Sequence, residues 1–201
     1  MVSALYVENG GVYYELDNVD PWDIERDARE CDSSNLAICH PPCDRWGRYW
    51  GGGPSAKVKR ILGDDGGCFA HALWYVRTYG GVIEHPEASH AWAYYGLAKP
   101  PKSGGWIVAD SYGGMTCCVE QGHYGHRARK ATWLYANKIS TPELVWGKAE
   151  GKTKIEDGFR SKEAAIIARS APGYKPIKRL SAKERIDTPL EFRDLLISMC
   201  S

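Results

Sequence analysis

Short apolar runs cut by glycine and proline, with few long amphipathic repeats, set the pattern of this chain. Residues 4–7 read as a strand and residues 12–16 as a second one. Asn9-Gly10 between them is the strongest short-range hairpin signal, and the competing reading takes Asn9, Gly10 and Gly11 as part of a glycine-rich cofactor loop. Asp20 followed by Pro21 and nearby acids predicts a helix over 20–29. The apolar run 35–39 predicts a buried strand, which Pro41 and Pro42 must end because proline supplies no ladder donor. Residues 44–54 mix Arg45, Trp46, Arg48, Tyr49 and Trp50 with glycines at no regular period, so they read as a loop.

Phe69, Leu73 and Val76 share one face of a predicted helix over 66–79. Residues 80–86 repeat the earlier arrangement, a short apolar strand closed by a polar residue and a proline, here Glu84-His85-Pro86. A short helix over 88–95 should close at Gly96, with strands over 106–109, 116–119 and 130–136 beyond it. The residues between the last two, 120–129, hold two histidines and two arginines and read as outside the core. A short helix over 161–168 comes next. The last helix takes Thr188 as N-cap, Pro189 as its first residue, Glu191 at the capping-box position, and Phe192, Leu195, Leu196 and Met199 as its buried face.

Composition changes this picture in two places. The chain has 201 residues and a net charge of +1, but residues 148–185 carry eleven Lys/Arg against five acids, leaving +6 there and −5 elsewhere. A basic segment beside an acidic body is either a nucleic-acid footprint or a solvated surface. Seven cysteines without a compact spacing fit reduced thiols better than a disulfide framework. Neither a signal-peptide pattern nor an apolar run of membrane length is present, so a cytoplasmic protein with no membrane partner is expected. The expected division is a main α/β domain over 1–147, a basic, partly irregular segment over 148–187, and a C-terminal helix over 188–201 packing on the main domain.

Chemistry concentrates where strands meet prolines. Cys43 follows Pro41-Pro42 on a stiff loop at the carboxyl end of a strand, the edge where open α/β sheets bind ligands. Its two readings are a nucleophile and a small packing residue. A metal centre from His40, Cys43, His123 and His126 is the alternative, although no paired Cys-x-x-Cys accompanies them.

In order, Pro-Pro-Cys43, Glu84-His-Pro and Gln121-Gly-His-Tyr-Gly-His-Arg-Ala-Arg129 resemble the motifs of DNA (cytosine-5) methyltransferases, especially small phage and prophage relatives, over about residues 36–134. That resemblance implies a Rossmann-like, mainly parallel α/β sheet reduced at its N-terminus. It implies Cys43 as nucleophile toward carbon 6 of a pyrimidine, Glu84 as the acid at ring nitrogen 3, and Arg127 and Arg129 near the target. It further implies S-adenosylmethionine held by Asn9, Gly10, Gly11 and Asp20, and a DNA or nucleotide partner contacted by Pro42, Arg45, Arg48, His123 and His126. For a phage protein the setting would be the host cytoplasm. The family's Glu-Asn pair is here Glu84-His85, and only a loose match to its glycine loop precedes Cys43. A non-catalytic or cofactor-independent nucleic-acid-binding relative is the alternative.

Overall fold

A computed structural model describes residues 1–52, 58–150, 162–174 and 180–201. Seven strands form one sheet: β1 (Val2–Leu5), β2 (Val19–Trp22), β3 (Ala37–Cys39), β4 (Gly81–Pro86), β5 (Ile107–Val108), β6 (Met115–Glu120) and β7 (Ala131–Asn137). Their order is β2-β1-β3-β4-β7-β6-β5. The β1/β2, β1/β3 and β3/β4 pairs are parallel, whereas β4/β7, β7/β6 and β6/β5 are antiparallel. The expected mainly parallel sheet is therefore a mixed one. Connection length explains the change of sense: β3 reaches β4 through the crossover helix α1 (Cys68–Tyr79), while β6 turns back into β7 through the compact residues 121–130.

Alternation along the strands divides the core into two layers. Cys39, Ile83, Trp133 and Tyr135 pack with Phe69, Leu73 and Val76 of α1 and with Trp92 of α2 (His90–Tyr94). Ile38, Val82, Leu134 and Ala136 face the other way, against Phe192, Leu196 and Met199 of the C-terminal helix (Leu190–Met199). That helix thus covers the second face of the sheet, as its apolar stripe requires. It starts at Leu190 with Pro189 as N-cap and no capping side chain, one residue later than expected.

Several local expectations are overturned. Residues 12–15 form turns and residue 16 is in no strand, and β1 pairs in parallel with β2, so there is no hairpin at Asn9-Gly10. Residues 20–22, expected to open a helix, belong to the edge strand β2, which is followed by a single 3-10 turn (Ala28–Glu30). Pro21 is tolerated there because an edge strand has one row of donors unpaired. Residues 120–129 are not wholly outside the core, since Gln121, His126 and Ala128 are buried. The helix expected over 161–168 is found as α3 (Lys162–Ser170). A further helix, α4 (Ala182–Ile186), is closed by a Ser181–Glu184 capping box. The rest of the basic segment, residues 151–161 and 175–179, lies outside the described residues, as does the end of the aromatic loop at 53–57.

No helix among the described residues is long and apolar enough to cross a membrane.

Candidate active site

The carboxyl ends of β3 and β4 build the site. Cys39 is in register with Ile83, so the next residues, His40 and Glu84, stand side by side and, by strand alternation, on the face covered by the C-terminal helix. His40 Nδ1 lies 3.1 Å from Glu84 Oε2, and both side chains are nearly buried, at 13% and 14% exposed. On its other side His40 Nε2 meets the Tyr13 hydroxyl at 2.8 Å. Gln121 Nε2 donates to Glu84 Oε1 at 3.0 Å and to Thr132 Oγ1 at 2.9 Å. Thr132 in turn donates to the Lys130 carbonyl. Donor and acceptor directions therefore run toward Glu84 from both sides, as a carboxylate requires.

Electrostatics agree with that geometry. Burial alone would raise the Glu84 pKa, but the His40 hydrogen bond and charge, together with Lys130, hold it down to about 2. Cys43 is half-buried on the loop after Pro41-Pro42. Burial pushes its thiol above the usual value, the negative charges of Glu84 and Asp44 push it further, and Lys130 pulls the other way. At neutral pH the resting side chain is a thiol. Lys130 itself is lowered by burial and raised by Glu84 and Cys43, and its Nζ donates to the Asp187 carbonyl at 2.8 Å.

Beneath this edge His85 is fully buried against Phe69 and Trp92, with neither ring nitrogen hydrogen-bonded. Burial depresses its pKa to about 4, so it is a neutral packing ring under the Pro41-Pro42 carbonyls.

The structure brings Cys43 and Glu84 to one edge, but not the two arginines. Arg127 is exposed and pairs with Glu184, and Arg129 is exposed. The cation that acts on Cys43 and Glu84 is Lys130. Of the expected substrate contacts, Pro42 and Arg48 are exposed, and Arg48 pairs with Glu87 at 3.2 Å. Arg45 lies against Asp44 at 3.3 Å. His126 has a structural role instead: Nδ1 accepts from the Ala128 amide, and Nε2 donates to the Glu184 carbonyl, pinning α4. His123 Nε2 meets the Gly147 carbonyl at 3.2 Å. The metal alternative fails on the same facts, since the ring nitrogens of His40 and His126 are already occupied. Among the described residues, no three His, Cys, Asp or Glu side chains are placed to hold an ion. Trp46 of the 44–54 loop is buried, with its Nε1 donating to Asp65 at 2.7 Å.

Sequence reasoning missed Tyr13, Gln121 and Lys130 and valued His40 only as a metal ligand. The available signals were the parity shared by His40 and Glu84 and the position of Gln121 at the head of its motif.

Of the residues expected around S-adenosylmethionine, Gly11 and Asp20 are engaged within the protein, whereas Asn9 and Gly10 are open to solvent. Gly11 closes its own turn onto the Glu8 carbonyl, and Asn9 and Gly10 are exposed. Asp20 is paired with Arg26 and accepts from Trp22 Nε1 at 2.8 Å. Asp23, just beyond β2, is taken by the Tyr14 hydroxyl and by the Glu25 and Arg26 amides. No family model matches this chain, and neither does any curated protein or solved structure.

Proposed function

We propose that the protein adds the Cys43 thiolate reversibly to ring carbon 6 of a pyrimidine base of DNA or a nucleotide and so activates carbon 5, a chemistry resembling the first half of cytosine-5 methyl transfer. The observation that carries this reading is the delivery of Cys43 and an ionised Glu84 to one carboxyl edge by the adjacent parallel strands β3 and β4. In support of a Rossmann-like, methyltransferase-type arrangement, β1 has β2 on one side and β3 on the other. Such a reversal of strand order marks the crevice where doubly wound sheets bind ligands.

Carbon 5 of cytosine is a weak nucleophile until a thiolate adds at carbon 6. Bond formation at carbon 6 pushes electrons onto carbon 5 and ring nitrogen 3, where Glu84 stabilises the protonated nitrogen. Lys130 offsets the negative charge of the thiolate, which burial and Glu84 otherwise oppose. Carbon 5 then takes a proton from water; loss of that proton or its predecessor, followed by loss of the nitrogen-3 proton and expulsion of the thiolate, restores the ring. A base in duplex DNA must leave the stack to reach Cys43.

S-adenosylmethionine supplies a methyl group in the enzymes this chain resembles. Here Asp20, the acid expected to hold that donor, is taken by Arg26 and Trp22, so it does not fit that donor, while the Asn9-Gly10 turn stays exposed.

The test is release of tritium from [5-³H]cytosine in single-stranded and duplex oligonucleotides, with and without S-adenosylmethionine. Release that needs no donor and disappears in Cys43→Ser is the expected result. Release that survives Cys43→Ser, or none from the wild type in either condition, would overturn the reading.

A further inference from the structure

Thiol addition at carbon 6 requires a proton at ring nitrogen 3, and Glu84 has none of its own to give. Its Oε1 receives an amide proton from Gln121, which is not transferable, and its Oε2 faces His40 Nδ1 at 3.1 Å. Among the described residues, His40 is thus the one proton carrier hydrogen-bonded to Glu84. It is held from behind by Tyr13, 3% exposed, whose hydroxyl lies 2.8 Å from Nε2. We propose that His40 is a positioning residue that stores the proton Glu84 presents to the base, with Tyr13 fixing the imidazole so that Nδ1 points at the carboxylate. This relay rests on the thiol addition proposed above.

The step balances. Imidazolium Nδ1–H passes its proton to Glu84, which passes one to ring nitrogen 3 as Cys43 Sγ bonds to carbon 6. The reactants are a thiolate, an imidazolium and a neutral base; the products are a neutral adduct and a neutral imidazole. Glu84 is a carboxylate before and after. Tyr13 suits both states of the ring, because its hydroxyl oxygen accepts from Nε2–H, and burial keeps it a phenol throughout. When the thiolate leaves, the proton returns from nitrogen 3 through Glu84 to Nδ1.

The charged and titratable groups around the relay come from four elements. Tyr13 and Glu84 touch His40 directly; Lys130 acts on Glu84 beside the neutral ring of His85, and Cys200, Arg193 and Asp194 of the C-terminal helix and its cap act on Tyr13. None of these other groups is hydrogen-bonded between His40 and Glu84.

The discriminating variant is His40→Gln, which can still donate a hydrogen bond to Glu84 but holds no transferable proton. Carbon-5 hydrogen exchange would be measured across pH for the wild type, His40→Gln and Tyr13→Phe, with thermal melting to confirm folding. We expect the wild-type profile to differ in shape from that of His40→Gln, because only the wild type draws on a proton held beside Glu84. His40→Gln should lower kcat by about 100-fold, within the range for general acid catalysis, with KM nearly unchanged and a profile that only rises with pH. Tyr13→Phe should fall between the two. Wild-type kcat or the wild-type pH profile in His40→Gln would overturn the relay while leaving thiol addition standing. Absence of any Cys43-dependent exchange in the wild type would overturn both. Should His40→Gln not fold, a Tyr13→Phe enzyme with the wild-type rate and profile would overturn the relay equally.

Discussion

Cys43 sits in a field that opposes its own reactivity. Burial, Glu84 and Asp44 all favour the thiol, and Lys130 alone of the named neighbours favours the thiolate. Removing a negative neighbour lowers the thiol pKa and so raises the thiolate fraction at neutral pH; removing Lys130 does the reverse. Alkylation of Cys43 by iodoacetamide at pH 7 should therefore be up to about tenfold faster in Glu84→Gln and slower by a similar factor in Lys130→Met, since one pKa unit is a tenfold change in thiolate. Mass spectrometry of the Cys43 peptide across pH measures both, and equal rates in the three proteins would show that neither group acts on the sulfur. Cys43 and Glu84 were legible in the sequence because the prolines that end their strands leave neighbouring side chains at the sheet edge. His40 was misjudged and Lys130 missed because a neighbour across the sheet is set by register, which no local signal carries. Arg127 was overvalued for a related reason: its partner, Glu184, lies far along the chain.

At the scale of elements, the site depends on how closely β3 and β4 approach. Gly81 opens β4 with φ +135°, and a Cβ there would stand 2.0 Å from the Ala37 carbonyl oxygen. No side chain fits between the strands at that point. Gly81→Ala should cost about 3 kcal/mol through strain and clash, and should weaken the His40–Glu84 register with it. Urea unfolding monitored by tryptophan fluorescence gives the loss of stability; an unchanged midpoint would mean that the strands part without penalty. Helix α1 was readable because its apolar spacing and its end at Gly80 are local, and the Asp65 side chain completes its start by accepting from the Gly67 and Phe69 amides. The hairpin was misread because Asn9-Gly10 does make a turn, but the strand that pairs with β1 comes only after residues 6–18 have looped round. The Ser181–Glu184 capping box stands in the sequence as Ser-x-x-Glu and could have announced α4.

The whole molecule is a sheet covered on both faces, and its second face is closed by the last helix of the chain. Phe192 is fully buried there among Val2, Ile38, Val82 and Leu134, residues of four different strands. Phe192→Ala should destabilise the entire domain by about 3–5 kcal/mol, the cost of a cavity under a packed sheet. Unfolding of the C-terminal helix alone at low denaturant, with the sheet intact, would contradict this. Arg193, almost fully buried beside Phe192, donates to the Val12 carbonyl at 2.8 Å and so ties the helix to the loop that carries Tyr13. Spacing, glycine and proline act within a few residues, and from them alone came most of the strands and helices with their apolar faces and the placing of Cys43 and Glu84 near strand ends, but not β2, the turns before it or α4. Only the tertiary structure decided that the sheet is mixed, that His40 and not an arginine adjoins Glu84, and that Lys130 supplies the cation. Those outcomes depend on strand order and register, which are settled by how distant segments bury one another.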